Sequence, residues 1–587
     1  MIAKIEVGAC GQRSSPLLPT CLQVNLDRSP IRIYLAACIR LPYVSLTQQY
    51  QISRSMPTMR GFLSKAKAAF SDEPFPGQHQ QQPIANQPDR PSTIQPPTPA
   101  DVDRYRYHHG TNIGSVFAIE RWLTNSRFPE GADGSAEKAA AKAWVEREGI
   151  DATRDRFEKA WQEYVSDADL DWLRDVAKCT SVRLPIGYWD LGPQFCEGTA
   201  FKKLAGVYQN AWHYISVLIA RCSVRGIGVL IDVHGLPGGA NPQEHSGTNS
   251  GKAEFWDSRS NRELGTKCIC FIAQQARSMA GVLGIQIVNE AEHSAPNMYE
   301  WYDQVIGEVS RIDPTMPIYV SDGWDLNRCA EWSLGPNSLK YQALSPVVVD
   351  THFYWAFTDE DKQKTPQQIT NEVHGKLGEL DGKDGGVVDR GAVQAIVGEY
   401  SCVLTEDSWA KGGGTPKDDL VRDFGKAQSE RYQSRAGGSF FWTYRMDWMD
   451  GGEWGFKQMT NAHAITPPYS LTLHKDDIHH RIENAKSQQL GKRGSTFGQH
   501  CQWWDTNHPG HYEHWRFEAG WDVGFNDAMH FFGMRSQRGF EGGDKIGMLD
   551  LWVLKRIRES GQGGGFVWEY EQGVRQGIRD FYELAGI

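Results

Sequence analysis

From about Tyr105 onward, short apolar runs alternate with longer stretches in which apolar residues recur at helical spacing. The short runs are Tyr107–Gly114, Ser181–Ile186, Gly228–Val233, Gly284–Val288, Pro317–Ser321, Val347–His352, Ala395–Gly398 and Ser439–Tyr444. Most are too short for a helical core and carry few polar residues on either face, the pattern of parallel strands buried on both sides. Between them lie Asp167–Ala177, Gln209–Arg225, Asn261–Ala280, Met298–Ile312 and Pro366–Leu380, each with a helical period. Strands alternating with helices predict βα units. Eight of them predict an α/β fold, a closed (β/α)8 (TIM) barrel over residues 101–468. An open doubly wound sheet fits less well, because no G-x-G-x-x-G turn follows any of the runs.

The pattern changes at both ends. After about Pro468 the segments Asp476–Asn484, Phe517–Met534, Ile546–Glu559 and Trp568–Leu584 all read as helices with no strand run between them, so residues 469–587 are expected to form a helical C-terminal extension. Residues 1–100 are expected to be a disordered or wrongly annotated extension. The glutamines of 78–82 and the prolines of 95–99 offer too little apolar surface to offset the entropy of ordering. Within it, Gly61–Phe70 could form one short amphipathic helix, and residues 1–55 read as the product of a start codon placed upstream of Met56 or Met59.

Polar residues interrupt the barrel pattern mainly where strands leave the sheet. Gly284–Val288 runs into Asn289 and Glu290, and Ala395–Gly398 runs into Glu399. In barrels of this type the chemistry sits at the C-terminal edge of the strands, so both carboxylates are catalytic candidates. Retaining glycoside hydrolysis needs two carboxylates about 5 Å apart across the scissile bond. Taken alone, each glutamate could equally be the structural partner of an arginine. Other strands bring Arg183, His234, His352, Tyr354 and Trp442 to the same edge. Arg183 near Glu399 would supply the cation an ionised nucleophile requires, and Asn289 has the amide that can hold a sugar 2-hydroxyl.

Composition narrows the alternatives. A net charge of -10 and a pI near 6.0, with no clustered basic footprint, argue against nucleic acid as a partner. Tryptophan (21) and glycine (60) are abundant, a pairing that accompanies carbohydrate sites and also large apolar cores. Eleven cysteines form an odd count without framework spacing. Absence of a signal-like N-terminus, of an apolar stretch of about 18 residues and of any Asn-x-Ser/Thr acceptor leads to the expectation of a cytoplasmic protein without a membrane span. No cofactor or metal is expected, and oligomeric state is not legible. His508, His511 and His514 with Cys501 imitate a metal-ligand set, but Pro509–Gly510 and the irregular spacing read as a solvated, aromatic-rich loop. His479–His480 reads as surface, and Leu236–Gly239 lacks the lysine of a phosphate loop.

The segments Val182–Trp189, Asp232–Gly239 with Asn241, Asn289–Glu290, His352–Tyr354, Gly398–Glu399 and Phe441–Trp442 resemble, in this order, glycoside hydrolase family 5 and within it the fungal exo-β-1,3-glucanase-like branch, over residues 105–460. The resemblance implies Glu290 as acid/base and Glu399 as nucleophile. It also implies Trp442 as the floor under the terminal sugar and Glu120 as the holder of its distal hydroxyls. Arg183, His234, Asn241, Asn289, His352, Tyr354 and Phe357 are the other implied substrate contacts. The chain departs from the family at Ala291, where proline is usual, at Gln243, where an aromatic clamps the next sugar, and at Glu244, where a shorter acid is common. The implied activity is release of terminal β-linked glucose from β-1,3-glucan oligosaccharides or glucoconjugates by double displacement. A steryl or ceramide β-glucosidase, or a glycoside-binding protein that has lost turnover, are the alternatives.

Overall fold

In the computed structural model, residues 94–340 and 344–587 are described. The expectations for residues 1–93, the Gly61–Phe70 helix among them, lie outside these. Residues Pro99 and Ala100, placed by sequence in the N-terminal extension, open a helix, α1 (Pro99–Tyr105), capped by Thr98 and Asp101.

Eight parallel strands close into one barrel in sequence order. They are β1 (His108–Asn112), β2 (Ser181–Gly187), β3 (Gly228–Gly235), β4 (Val282–Gln286), β5 (Ile318–Ser321), β6 (Val347–Trp355), β7 (Ala395–Leu404) and β8 (Gly438–Phe441). Closure comes from β8 pairing with β1, Thr111 opposite Phe441. Nearly every strand residue is buried, which is why these runs show no alternation: one face meets the barrel interior and the other meets helices. The main crossover helices are α2 (Asp167–Asp175), α3 (Ala211–Ser223), α4 (Arg259–Ala276), α5 (Met298–Ile312), α6 (Leu326–Ser333), α7 (Pro366–Val373) and α8 (Lys417–Arg435).

Three strand ends differ from the sequence expectation in a way that matters for the site. β4 ends at Gln286, so Asn289 and Glu290 stand on the loop beyond the strand. β6 and β7 run past His352 and Glu399 to Trp355 and Leu404, with register shifts between Thr351 and His352 and between Val397 and Tyr400. Such irregularities re-aim side chains, and the apolar count alone does not register them.

The other end of the barrel is sealed. Leu230, Leu283, Tyr319, Val348, Ile396 and Phe440 belong to one apolar cluster with Val102 and Tyr105 of α1 and with the C-terminal helices. Those helices are α9 (Lys475–Asn507), α10 (Trp515–Gln537), α11 (Leu549–Ser560) and α12 (Val567–Ala585). α10 and α12 touch backbone to backbone: a Cβ on Gly524 would lie 2.0 Å from the Val574 carbonyl oxygen, and one on Gly573 2.0 Å from that of Phe517. Gly520 and Gly577 complete the contact, so glycines spaced by four on both helices permit the close approach. No helix among the described residues is long and apolar enough to cross a membrane.

Candidate active site

The strand ends and the loops that follow them converge on Arg183, which is fully buried on β2. Its Nη1 donates to Glu399 Oε1 at 2.9 Å and to Asn112 Oδ1 at 2.8 Å. Nε donates to Gln286 Oε1 at 2.8 Å, while Nη2 donates to Asn289 Oδ1 at 2.7 Å and lies 3.1 Å from Asp232 Oδ2. A planar guanidinium with five donors can orient this many acceptors at once; a lysine could not. Burial opposes its charge, and Asp232, Glu399 and Asp350 outweigh that effect.

Glu399 follows Gly398 on β7. A side chain on Gly398 would collide with the Asp350 carboxylate, whose Oδ1 would lie 2.1 Å from a Cβ, so only glycine lets β6 and β7 approach here. The second Glu399 oxygen accepts the Tyr354 hydroxyl at 2.8 Å. Burial first, and the Glu399 charge next, push the Tyr354 phenol well above its usual range, so it acts as a neutral donor.

Glu290 sits on the loop after β4 at φ 42°, in the left-handed region. A non-glycine residue held there costs on the order of 1–3 kcal/mol, which the surrounding bonds must sustain. Asn241 Nδ2 donates to the Glu290 carbonyl at 3.0 Å, and the Ala291 N–H donates to Ser321 Oγ at 3.1 Å. Proline at position 291 could not make the second bond. The Glu290 carboxylate lies between two imidazoles, His352 Nδ1 at 2.9 Å from Oε1 and His245 Nε2 at 3.3 Å from Oε2. Burial would raise this carboxyl, but the His245 and His352 hydrogen bonds and charges hold it well below the usual range. In return His245 is pushed up to about 9, and His352 also rises, drawn up by Glu399, Asp350 and Glu290 against its burial. The unliganded site therefore keeps its protons on the imidazoles, one hydrogen bond away from Glu290. One carboxylate oxygen each of Glu290 and Glu399 and one His352 nitrogen lie within 4.8 Å of one another.

The remaining expected residues are placed as follows. His234 Nδ1 contacts Asp232 Oδ2 at 2.7 Å, and its ring lies parallel to Trp442, with centroids 5.8 Å apart. Trp442 is buried except for 5% of its surface. Glu120 Oε2 accepts from Trp122 Nε1 at 2.9 Å, and burial holds its carboxyl above the usual range, opposed by His245 and His234. Two residues are placed differently from the rest. The Asn241 amide is spent inside the protein: its nitrogen holds Glu290, and its oxygen accepts from the Gln243 N–H and the Ser246 hydroxyl. Phe357 stands out at the rim, 57% exposed, edge-on to Tyr354 and near Trp454. Gln243 is exposed.

Sequence reasoning missed His245, Asp232, Asp350, Gln286 and Asn112. A signal for two of them was present: Asp232 and His234, like Asp350, His352 and Tyr354, are two apart on one strand and therefore share a face. His245 carried no such signal, because it lies in the loop after β3.

A family model described as "Cellulase (glycosyl hydrolase family 5)" matches residues 140–420, and one described as "Glucan 1,3-beta-glucosidase 3 C-terminal domain" matches residues 485–585. The chain is 31% identical over 476 residues to glucan 1,3-beta-glucosidase 3 of Schizosaccharomyces pombe, covering 81% of this chain and 95% of that protein. It is also 29% identical over 505 residues to an uncharacterized glycosyl hydrolase of Saccharomyces cerevisiae, covering 83% and 94% respectively.

Proposed function

The chain belongs to glycosyl hydrolase family 5 and is a glycosidase, and on that footing we propose that it releases terminal β-linked glucose from β-1,3-glucan oligosaccharides by double displacement, with Glu399 as nucleophile and Glu290 as acid/base. The observation that carries this reading is the unequal treatment of two carboxylates within 4.8 Å of each other. Glu399 is met by a buried guanidinium and a phenol hydroxyl, while Glu290 is met by two imidazoles that store protons beside it. Two carboxyl groups that close leave no room for a water between them and the sugar, which favours retention over inversion.

In the first step a Glu399 oxygen attacks the anomeric carbon as the glycosidic bond breaks, and Glu290 gives its proton to the departing oxygen. Expulsion of water by the bound sugar favours the neutral form of the Glu290–His352 pair, bringing the proton onto the carboxyl. In the second step Glu290 takes a proton from water, the water oxygen attacks the anomeric carbon, and the ester to Glu399 breaks. Arg183 then receives Glu399 back as a carboxylate. Trp442 offers its face to the apolar side of the sugar ring, Glu120 and His234 offer polar groups to its hydroxyls, and the Asn289 amide nitrogen, now 3.4 Å from His234 Nε2 and 3.5 Å from His245 Nδ1, turns to the 2-hydroxyl when sugar binds. The β-1,3 linkage rests on the similarity to the Schizosaccharomyces pombe protein.

Exposed aromatics favour a second reading, a β-glucoside with an apolar aglycone such as a steryl or ceramide glucoside. Phe357 is 57% exposed and Trp122 40% exposed, and Trp454 lies between them with centroids 6.4 and 5.3 Å away. Comparing kcat/KM on laminari-oligosaccharides, steryl glucoside and ceramide glucoside decides between the two. Tight binding of all three without turnover would instead identify a glycoside-binding protein.

A further inference from the structure

A second cluster of histidine and carboxylate lies among the C-terminal helices, and the active-site chemistry leaves it unused. His500 on α9, His514 immediately before α10 and Glu569 on α12 bring one ligand atom each to within 4.8 Å of one another. Both imidazoles converge on a single oxygen: His500 Nε2 is 3.1 Å and His514 Nδ1 2.7 Å from Glu569 Oε2. The Glu569 side chain is wholly buried, and those of His500 and His514 are only 5% and 17% exposed.

This is not the set the sequence spacing advertised. His508 and His511 pack against Trp503 and Phe566 and take no part, and of the four residues singled out by spacing only His514 contributes. Glu569 is 55 positions beyond His514 and comes into reach only through the close crossing of α10 and α12.

We propose that His500 Nε2, His514 Nδ1 and Glu569 Oε2 form a binding site for one divalent transition-metal ion of the Zn2+ type, which ties α9, α10 and α12 together. Two imidazoles and one carboxylate make a donor set suited to such an ion, with a fourth position left for water. The surroundings are those a metal ligand needs. The second nitrogen of His514, Nε2, faces Asp505 Oδ1 at 3.4 Å, and the second oxygen of Glu569, Oε1, accepts the Glu513 N–H at 2.9 Å. Such outer partners fix ring tautomer and carboxylate orientation at metal centres. Both rings are also clamped, His500 stacked on Phe517 with centroids 3.9 Å apart and His514 on Tyr512 with centroids 5.1 Å apart.

The ion takes the place of the two protons now shared with Glu569. Each ring passes its N–H to its other nitrogen, which for His514 is the one facing Asp505. Ligand atoms about 2.1 Å from a tetrahedral ion stand roughly 3.4 Å apart, so filling the site lengthens the observed 2.7 and 3.1 Å contacts by about 0.7 and 0.3 Å.

The test uses the full chain, stripped with a chelator, desalted and titrated with Zn2+ alone against a chromophoric chelator. The expected result is one equivalent bound, with a thermal midpoint that rises with free Zn2+. Affinity should fall at least about 100-fold in His514→Ala and in Glu569→Gln, and should be unchanged in Glu399→Gln, which alters the other cluster. Should a helix variant fail to fold, Co2+ uptake by the unaltered protein gives the answer: intense visible d–d bands of a four- or five-coordinate ion support the site, and the weak spectrum of a six-coordinate ion contradicts it. No uptake, uptake indifferent to His514 and Glu569, or uptake lost only in Glu399→Gln would each overturn the proposal.

Discussion

Two clusters of nearly the same ingredients occupy opposite settings in this molecule. Glu290, His352 and Glu399 stand where strands and loops meet at one end of a barrel; His500, His514 and Glu569 stand where three helix segments meet. In the first, two carboxylates flank one imidazole, and each has separate partners: Arg183 and Tyr354 for Glu399, His245 for Glu290. In the second, two imidazoles share one carboxylate oxygen, and Asp505 meets the far nitrogen of His514 at 3.4 Å. The first arrangement pushes the properties of two similar acids apart, which acid–base and nucleophilic chemistry require. The second brings donors to one point, which suits holding an ion or a fold. Residue types alone do not separate these cases; the asymmetry of the surroundings does.

The comparison breaks most visibly at the proposed nucleophile. Glu399→Gln should lower kcat on the order of 10⁴-fold or more with little loss of thermal stability, whereas Glu569→Gln should leave kcat/KM within a few-fold. Steady-state kinetics and thermal unfolding on both variants check this, and comparable activity losses in the two would erase the distinction. Next in size is Arg183→Met. It leaves Asp232 and Glu399 buried without their cation, and removing one partner of a buried pair costs about 3–5 kcal/mol. Both the denaturant midpoint and kcat should fall, unlike the Glu399→Gln case.

At the other end of the molecule, Gly524→Leu should force α10 from α12 and lower stability by about 1–3 kcal/mol, with kcat/KM of the folded fraction unaffected. A change in kcat/KM larger than the folded fraction explains would couple the two regions. The smallest effect is a displacement in pH. His245 is a cation up to about 9 and lowers the Glu290 carboxyl, so His245→Gln removes that influence and Glu290 must rise. A general acid works only while protonated, and Glu290 gains its proton once sugar is bound, so the alkaline limb of kcat, which reports the complex, should move to higher pH. A limb that stays in place, or moves to lower pH, would remove Glu290 from the acid role.

Much of the barrel was legible because its strands are buried on both faces and so read as uninterrupted apolar runs. Met298–Ile312 matches its expected bounds, and all eight strands lie where such runs occur. What was not legible depends on contacts between distant segments. The apolar pattern placed Asn289 and Glu290 at a strand end, yet β4 stops at Gln286, and the left-handed turn at Glu290 is held by Asn241 from the loop after β3 and by Ser321 at the end of β5. α9 was expected to end at Asn484 and continues to Asn507, because its polar surface hides the helical period beyond the first turns. The resemblance to family 5 named the two glutamates, but nothing in spacing announced His245. Asp350, by contrast, could have been found by stepping back two residues from His352 along β6.

Double displacement requires that Glu399 form the covalent bond to the sugar. The direct measurement is to incubate the protein with a 2-deoxy-2-fluoro-β-glucoside bearing a good leaving group, digest it, and map the mass-shifted peptide. A stoichiometric label on Glu399 is expected, released slowly with the β configuration retained at the anomeric carbon. A label on Glu290, or turnover of ordinary substrate to the inverted anomer without any label, would contradict it.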